Sequence, residues 1–263
     1  MNGPLLPLDA PAPGSSFTEL VRSLDLAPRW SIPRDITSSA LPAPDATTVL
    51  ALRCQGGVVM VGDRQATAGY DVSHRRIQKV FAADQHSAVA ISGTAGLAIE
   101  MIRLFQTELE HYEKLEGVRL SLDGKANYLA RMVRTQLPLA LQGFIVVPIF
   151  CGVEPDTGTG HVFTFDAVGG RYEEQEFGAA GSGSREARSY LRTVFRSDSA
   201  MDQAIDHAMQ ALVAASEQDL ATGGPDIRRG IYPNVVTVTS EGFQPVDDLV
   251  IAAAAERALE VIR

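Results

Sequence analysis

A chain of 263 residues, 45% hydrophobic and 21% charged, has a globular composition and enough length for one sizeable core, alone or with an extension. Its formal net charge of -9 makes it a poor candidate for binding a nucleic-acid backbone or an anionic membrane surface. No run of about 18 apolar residues marks a transmembrane helix, and no basic-then-apolar N-terminus marks a secretory signal.

Residues 1–46 hold eight of the 14 prolines, a density that forbids long helices and sheet ladders. One island reads as helical. Ser16 and Glu19 are spaced as a capping box, and Phe17, Leu20, Val21 and Leu24 share a face. The segment reads as a pro-segment or arm, or as a tail with no role.

At Thr47 the pattern turns to β. Thr47 to Arg53 reads as a strand, Gly56-Gly57 as a turn and Val58 to Gly62 as the return strand, with Asp63 at its end. Arg64 to Gly69 reads as a loop. Arg76 to Ala83 reads as a strand carrying Lys79, and His86 to Ser92 as another, closed by Gly93. Two helices follow, Thr94 to Leu115 and Asp123 to Gln142, the second kinked near its end by Pro138. Phe144 to Val153 reads as a buried strand, and His161 to Ala167 pairs back on it. Arg171 to Phe177 reads as an exposed strand. Gly178 to Ser184 is a glycine-rich connection to helices at about 185–195 and 200–216. Asp219 to Pro225 is a loop, Ile231 to Thr239 a strand and about 246–262 a final helix. Strands joined as hairpins and helices arriving in pairs argue against a parallel βαβ sheet. They suit an α+β fold of two stacked antiparallel sheets with helices outside, a four-layer αββα sandwich.

Several chemistries are excluded by spacing. The five histidines show no metal-ligand pattern, so no metal is expected. Gly178 to Ser184 is not followed by Gly-Lys-Ser/Thr, which argues against a phosphate loop. No basic patch with interleaved aromatics supports nucleic-acid binding. Cys54 and Cys151 lie in apolar strand-like runs and read as two buried free thiols, with one disulfide as the alternative.

The polar interruptions are more informative. A Thr hydroxyl is a poor nucleophile until a base stands beside it, and the nearest base is its own α-amine. Cutting between Ala46 and Thr47 creates that amine. Lys79 inside an apolar strand is costly unless paired, and Asp63 is a partner for it. Such a charge beside Thr47 favours the deprotonated forms of its hydroxyl and amine. Gly93 can bring a bare N–H close to an oxyanion. Each feature alone is more often structural.

Together these segments resemble the proteasome β-subunit family. The matching stretches are Thr47-Thr48-Val49, Val61-Gly62-Asp63-Arg64, Lys79-Val80, Ser92-Gly93-Thr94-Ala95-Gly96, Gly181-Ser182-Gly183-Ser184 and Asp219-Leu220-Ala221-Thr222-Gly223-Gly224. They run in order over about 47–240. Leu109 to Gly117 and Ala221 to Pro233 look like the actinobacterial branch.

The resemblance implies an N-terminal-nucleophile hydrolase fold, a propeptide over 1–46 removed by self-cleavage, and a peptidase domain over 47–263. It implies Thr47 as nucleophile and Lys79, held by Asp63, as its activator. Gly93 N–H becomes the oxyanion donor, and Ser182, Asp219 and Thr222 orient the amine. It places Ala66, Ile77, Ile91 and Ala95 in an apolar substrate pocket, so cleavage is expected after large apolar residues.

It also implies no cofactor and a cytoplasmic particle of four stacked seven-membered rings, built with α subunits and other β subunits. An ATPase ring feeds it unfolded or Pup-tagged proteins. Three departures stand out. Ala46 replaces the usual Gly before the nucleophile, Thr222 stands where many relatives have Ser, and Gln65 where close relatives often have Arg. The first leaves a rival, a non-catalytic β subunit that builds the ring. A bacterial two-ring relative is a third possibility, opposed by the long N-terminal segment and the C-terminal helix.

Overall fold

The computed structural model describes residues 47–68, 71–196 and 198–262. The pro-segment, its helical island and Ala46 lie outside the described residues. The fold is explained by which face of each strand is apolar. β1 (Thr48–Cys54) and β2 (Gly57–Gly62) are buried along almost their whole length. Their side chains nevertheless divide between two cores, as alternation in a strand requires. Val49, Ala51, Val58 and Met60 point to one cluster, and Leu50, Leu52, Val59 and Val61 to another. A strand buried on both faces must have a layer on each side.

β1 and β2 are central in the first sheet, whose order is β10-β1-β2-β11-β12, with β10 at Phe177–Gly181, β11 at Asn234–Thr239 and β12 at Gly242–Pro245. The second sheet runs β5-β6-β7-β8-β9 in chain order. Its strands are Val80–Asp84, Ser87–Gly93, Val146–Val153, Gly160–Phe165 and Arg171–Glu174. All pairings in both sheets are antiparallel. Between the sheets, Val49, Ala51 and Met60 meet Val80, Ala90 and Ile149.

The outer faces carry the helices. Helices α1 (Ala95–Glu116) and α2 (Leu122–Thr135) cover the second sheet, where Met101, Phe105 and Leu129 pack on Val89, Phe150 and Phe163. Helices α4 (Ser184–Val194), α5 (Met201–Gln218) and α6 (Asp248–Val261) cover the first, through Leu191, Met209, Leu212 and Ile251. The four-layer αββα order is as the strand and helix pattern predicts.

Several boundaries differ from the sequence expectation. The 64–69 loop contains β3 (Ala66–Ala68), which pairs with β4 (Asp71–His74) in a separate hairpin. Lys79 lies just before β5, not within it. Its N–H bonds the Asn234 side chain at 3.2 Å, while its carbonyl accepts from Ile91 N at 3.1 Å, so the ladder is only half made there. The second helix breaks at Gln136, and the short α3 (Leu137–Ala140) follows with Pro138 in its first turn. The exposed strand ends at Glu174, and the glycine-rich run that follows holds a full strand, β10. Glycine is required in β10 by the opposite sheet, because a Cβ on Gly178 would meet Thr164 Cγ2 at 2.5 Å. Ile231 makes only an isolated bridge, so β11 starts at Asn234.

Cys54 and Cys151 are free thiols, half-buried and buried. Burial pushes them up to about 11 and about 12, so both remain protonated at neutral pH.

Within the second sheet and its helices, one ion pair is nearly dry. Lys125 Nζ lies 2.5 Å from Asp84 Oδ2, with side-chain exposures of 5% and 16%. Asp84 Oδ1 also accepts from His86 N at 3.0 Å and Ser87 Oγ at 2.5 Å. Burial pushes the Asp84 carboxyl up. The Lys125 charge and these hydrogen bonds outweigh it and hold the carboxyl below its usual value. A depressed carboxylate contributes stability above its unfolded value of about 3.9, and that stability is lost as pH falls through the folded value. Lys125→Met should therefore destabilise the chain by about 3–5 kcal/mol at pH 7, because it strands a buried carboxylate. The difference between wild type and variant should shrink below about pH 4. Urea unfolding at pH 7 and pH 3.5 checks both; equal stability at pH 7 would show that the pair contributes nothing.

Candidate active site

The site grows from the open end of β1 and β2. Register places Thr48 opposite Gly181 and Val49 opposite Gly62, so Asp63 leaves β2 beside the start of β1. Asp63 N–H donates to Thr48 O at 3.0 Å, and Thr48 N–H returns a bond to Asp63 Oδ1 at 2.9 Å. The carboxylate is fully buried. Lys79 Nζ reaches Oδ1 at 2.6 Å, and the N–H groups of Gln65 and Gly223 reach Oδ2, each at 3.0 Å. Burial has the largest effect and leaves the Asp63 carboxyl above its ordinary value, although the Lys79 ammonium and the Thr48 and Gly223 donors pull it down. A carboxylate offers about four acceptor positions, and here four donors fill them. With a donor aimed at every position, the cage favours the ionised form against that burial. Lys79, only 3% exposed, also donates to Gln65 O.

A second chain of bonds lies beside the first. Ser182 Oγ and Thr222 Oγ1 both donate to Asp219 Oδ2, at 2.5 and 2.6 Å. Thr222 Oγ1 also lies 2.5 Å from Thr48 Oγ1. Because the Thr222 proton goes to Asp219, Thr48 is the donor in that contact. Thr48 Oγ1 in turn accepts from Gly183 N at 3.0 Å. The Thr222 hydroxyl thus bonds on both sides.

Thr47 is 3% exposed, and its carbonyl accepts from Ser182 N at 3.0 Å. Gly181 makes this approach possible, and Gly93 allows an equally close one to Ile145. Gly181 has φ +100°, and a Cβ there would lie 1.7 Å from Thr47 O. Gly93 has φ +102°, and a Cβ there would lie 2.0 Å from Ile145 O. Thr47, Gly93 and Ser182 line one cavity of about 560 Å³.

Thr47, Asp63, Lys79, Gly93, Ser182, Asp219 and Thr222 thus come from distant parts of the chain to one end of the sandwich. Thr48 was read from sequence only as a strand residue; the structure gives its hydroxyl and its N–H a place in both networks. Three of the four expected pocket positions, Ala66, Ile77 and Ile91, lie near Lys79. Ile91 N bonds Lys79 O and Ile77 N bonds Arg64 O, both at 3.1 Å. Ala66 follows Gln65, and Ala95 begins α1 two residues after Gly93. None of the four lines the 560 Å³ cavity. Among the described residues no cluster suited to a metal ion occurs, and no helix is long and apolar enough to cross a membrane.

Chemically, the arrangement offers a buried ammonium, a nearby threonine, an approachable glycine N–H and a hydrogen-bonded hydroxyl–carboxylate chain. Comparison with known proteins gives the family. The proteasome subunit family model matches residues 44–227. The chain is 49% identical over 246 residues to a proteasome subunit beta of Jonesia denitrificans, covering 92% of this chain and 81% of that protein. It is 49% identical over 245 residues to one of Acidimicrobium ferrooxidans, covering 92% and 89%. With one of Streptomyces griseus the identity is 48% over 221 residues, covering 84% and 79%. The chain belongs to the proteasome subunit family, and its relatives place it among the β subunits.

Proposed function

We propose that this β subunit is catalytic, a threonine endopeptidase whose nucleophile is Thr47 once residues 1–46 have been cleaved away. The observation that carries this reading is the buried Lys79–Asp63 pair, bonded to the N–H of Thr48, the residue that follows Thr47. In the mature chain the Thr47 amine takes the hydroxyl proton through water, and the oxygen attacks the peptide carbonyl. The Lys79 ammonium favours the alkoxide. Gly93 N–H donates to the tetrahedral oxyanion. Collapse expels the amine half of the substrate, which carries off the proton held by the Thr47 ammonium. Water, deprotonated by the same amine, then hydrolyses the ester and restores the hydroxyl. Ser182, Asp219 and Thr222 hold the amine and its proton path.

Its partners are α subunits and other β subunits in four stacked seven-membered rings, in the cytoplasm. An ATPase ring delivers unfolded or Pup-tagged proteins. The physical motive is confinement, since an unspecific peptidase must be kept from folded neighbours. The reaction needs no cofactor. A rival rests on Ala46: the chain is a ring-builder that retains its N-terminal segment.

With large apolar residues before the scissile bond, Thr47→Ala particles should show no hydrolysis while still assembling. Lys79→Ala should lose a factor of about 10²–10⁴. Wild-type activity should rise with pH through about 7–8, as an α-amine loses its proton. Fluorogenic peptide assays on particles co-assembled with α subunits read all three; full turnover by Thr47→Ala would end the proposal.

Self-cleavage requires a tight turn at residue 46. If that turn is left-handed, Ala costs roughly 1–2 kcal/mol more than Gly. A penalty of about 1.4 kcal/mol felt only in the transition state is tenfold in rate. Maturation should therefore be slow but real, and Ala46→Gly should accelerate it about tenfold. A time course of propeptide loss in assembled particles decides. If wild type keeps residues 1–46 indefinitely while Ala46→Gly matures, the ring-builder is the correct reading.

A further inference from the structure

The cavity beside Thr47 contains neither Lys79 nor any of the four pocket positions carried over by resemblance. Ala66, Ile77 and Ile91 lie near Lys79 through the chain and its backbone contacts, so the cavity is a space apart from them. Its mouth holds Thr47, Gly93 and Ser182, and its apolar walls are Ile145, Val147, Phe165 and Ala180. A peptide bond held at Thr47 has two sides, and one pocket cannot serve both.

The polar groups of the cavity set its chemistry. Glu174 Oε1 accepts from Thr164 Oγ1 at 2.7 Å. The Tyr172 hydroxyl is turned to Asp166 Oδ2 at 2.9 Å. Arg188 Nη2 is committed to Ala179 O, but Arg188 Nε is buried and has no hydrogen-bond partner. A buried donor without an acceptor is costly, and a ligand that brings an acceptor removes that cost. A ligand that brings another donor does not.

We propose that this cavity is the subsite for the residue just after the scissile bond, with Arg188 as its specificity-determining group. It takes a side chain with an apolar stem and an acceptor oxygen at the tip, glutamine or glutamate, in preference to lysine or arginine. The stem lies along Phe165 and Val147, and the tip oxygen accepts from Arg188 Nε. Glu174 supplies the opposing charge that keeps the cavity from selecting glutamate over glutamine. The proposal rests on Thr47 as nucleophile.

The test uses internally quenched peptides on particles co-assembled with α subunits. The residue before the cut is a fixed large apolar one, and the residue after it is Gln, Glu, Ala or Lys. Gln and Glu should exceed Lys about tenfold in kcat/KM, the size expected of one hydrogen bond to a charged donor. Arg188→Met should bring that ratio to within about twofold. Glu174→Gln, which leaves Arg188 in place, should shift the preference from Gln toward Glu. Preference before the cut should not move in either variant. An unchanged Gln/Lys ratio in Arg188→Met particles, or a change confined to the residue before the cut, overturns the assignment. Binding is also read without turnover, from a map of wild-type particles soaked with the Gln peptide. A side chain against Arg188 supports the subsite, and an empty cavity at saturating peptide overturns it. An occupied cavity with no hydrolysis would instead sink the Thr47 mechanism, and the subsite with it, leaving only a glutamine-binding cavity at Arg188.

Discussion

The interaction on which the rest depends is the desolvated carboxylate of Asp63. A charge at 0% exposure survives only if its acceptor capacity is met, and here four separate pieces of chain meet it: Thr48, Gln65, Lys79 and Gly223. That requirement fixes the start of β1 against the end of β2. It also anchors the loop after α5 through Gly223 and brings the segment before β5 inward through Lys79. Such a pair is weak evidence for stability, since a well-packed apolar pair can do as well. Its value is geometric. It places one ammonium, with almost no freedom, at the end of the sandwich where Thr47 begins.

The second network uses the same frame. Thr48 bonds Asp63 through its backbone and Thr222 through its hydroxyl, so one residue joins the ion pair to the Ser182–Asp219 relay. The closeness of this arrangement explains two glycines that no packing argument would otherwise require. At Gly181 and Gly93, φ lies near +100° and the space for a Cβ is taken by a carbonyl oxygen. The alternative role, a subunit that only builds the ring, would account for the ion pair. It gives no reason for a Ser182–Asp219–Thr222 relay as well.

Much of this was legible in the chain. Apolar runs separated by Gly-rich turns gave the hairpins, and paired helical patterns gave the outer layers. Short motifs in a fixed order named seven residues that the fold brings to one end of the sandwich. What escaped notice has physical reasons. β10 was hidden because its glycines, required where the sheets close, carry no strand propensity. Lys79 was placed within a strand because its flanking residues are apolar, yet its N–H bonds a side chain instead of the ladder. Thr48 looked like any β-branched strand opener. The cavity lined by Phe165, Glu174 and Arg188 is assembled from β6, β7, β8, β9, β10 and α4 with no common motif, so no local pattern could announce it.

The central claim is that the buried pair serves a free N-terminal threonine. The most direct measurement is a peptide map, by mass spectrometry, of assembled particles treated with an electrophilic apolar peptide that forms a lasting bond with a nucleophile. The account predicts an N-terminal fragment that begins at Thr47 and carries the peptide. An N-terminal fragment that still includes Ala46, with the label absent or on another residue, would contradict it.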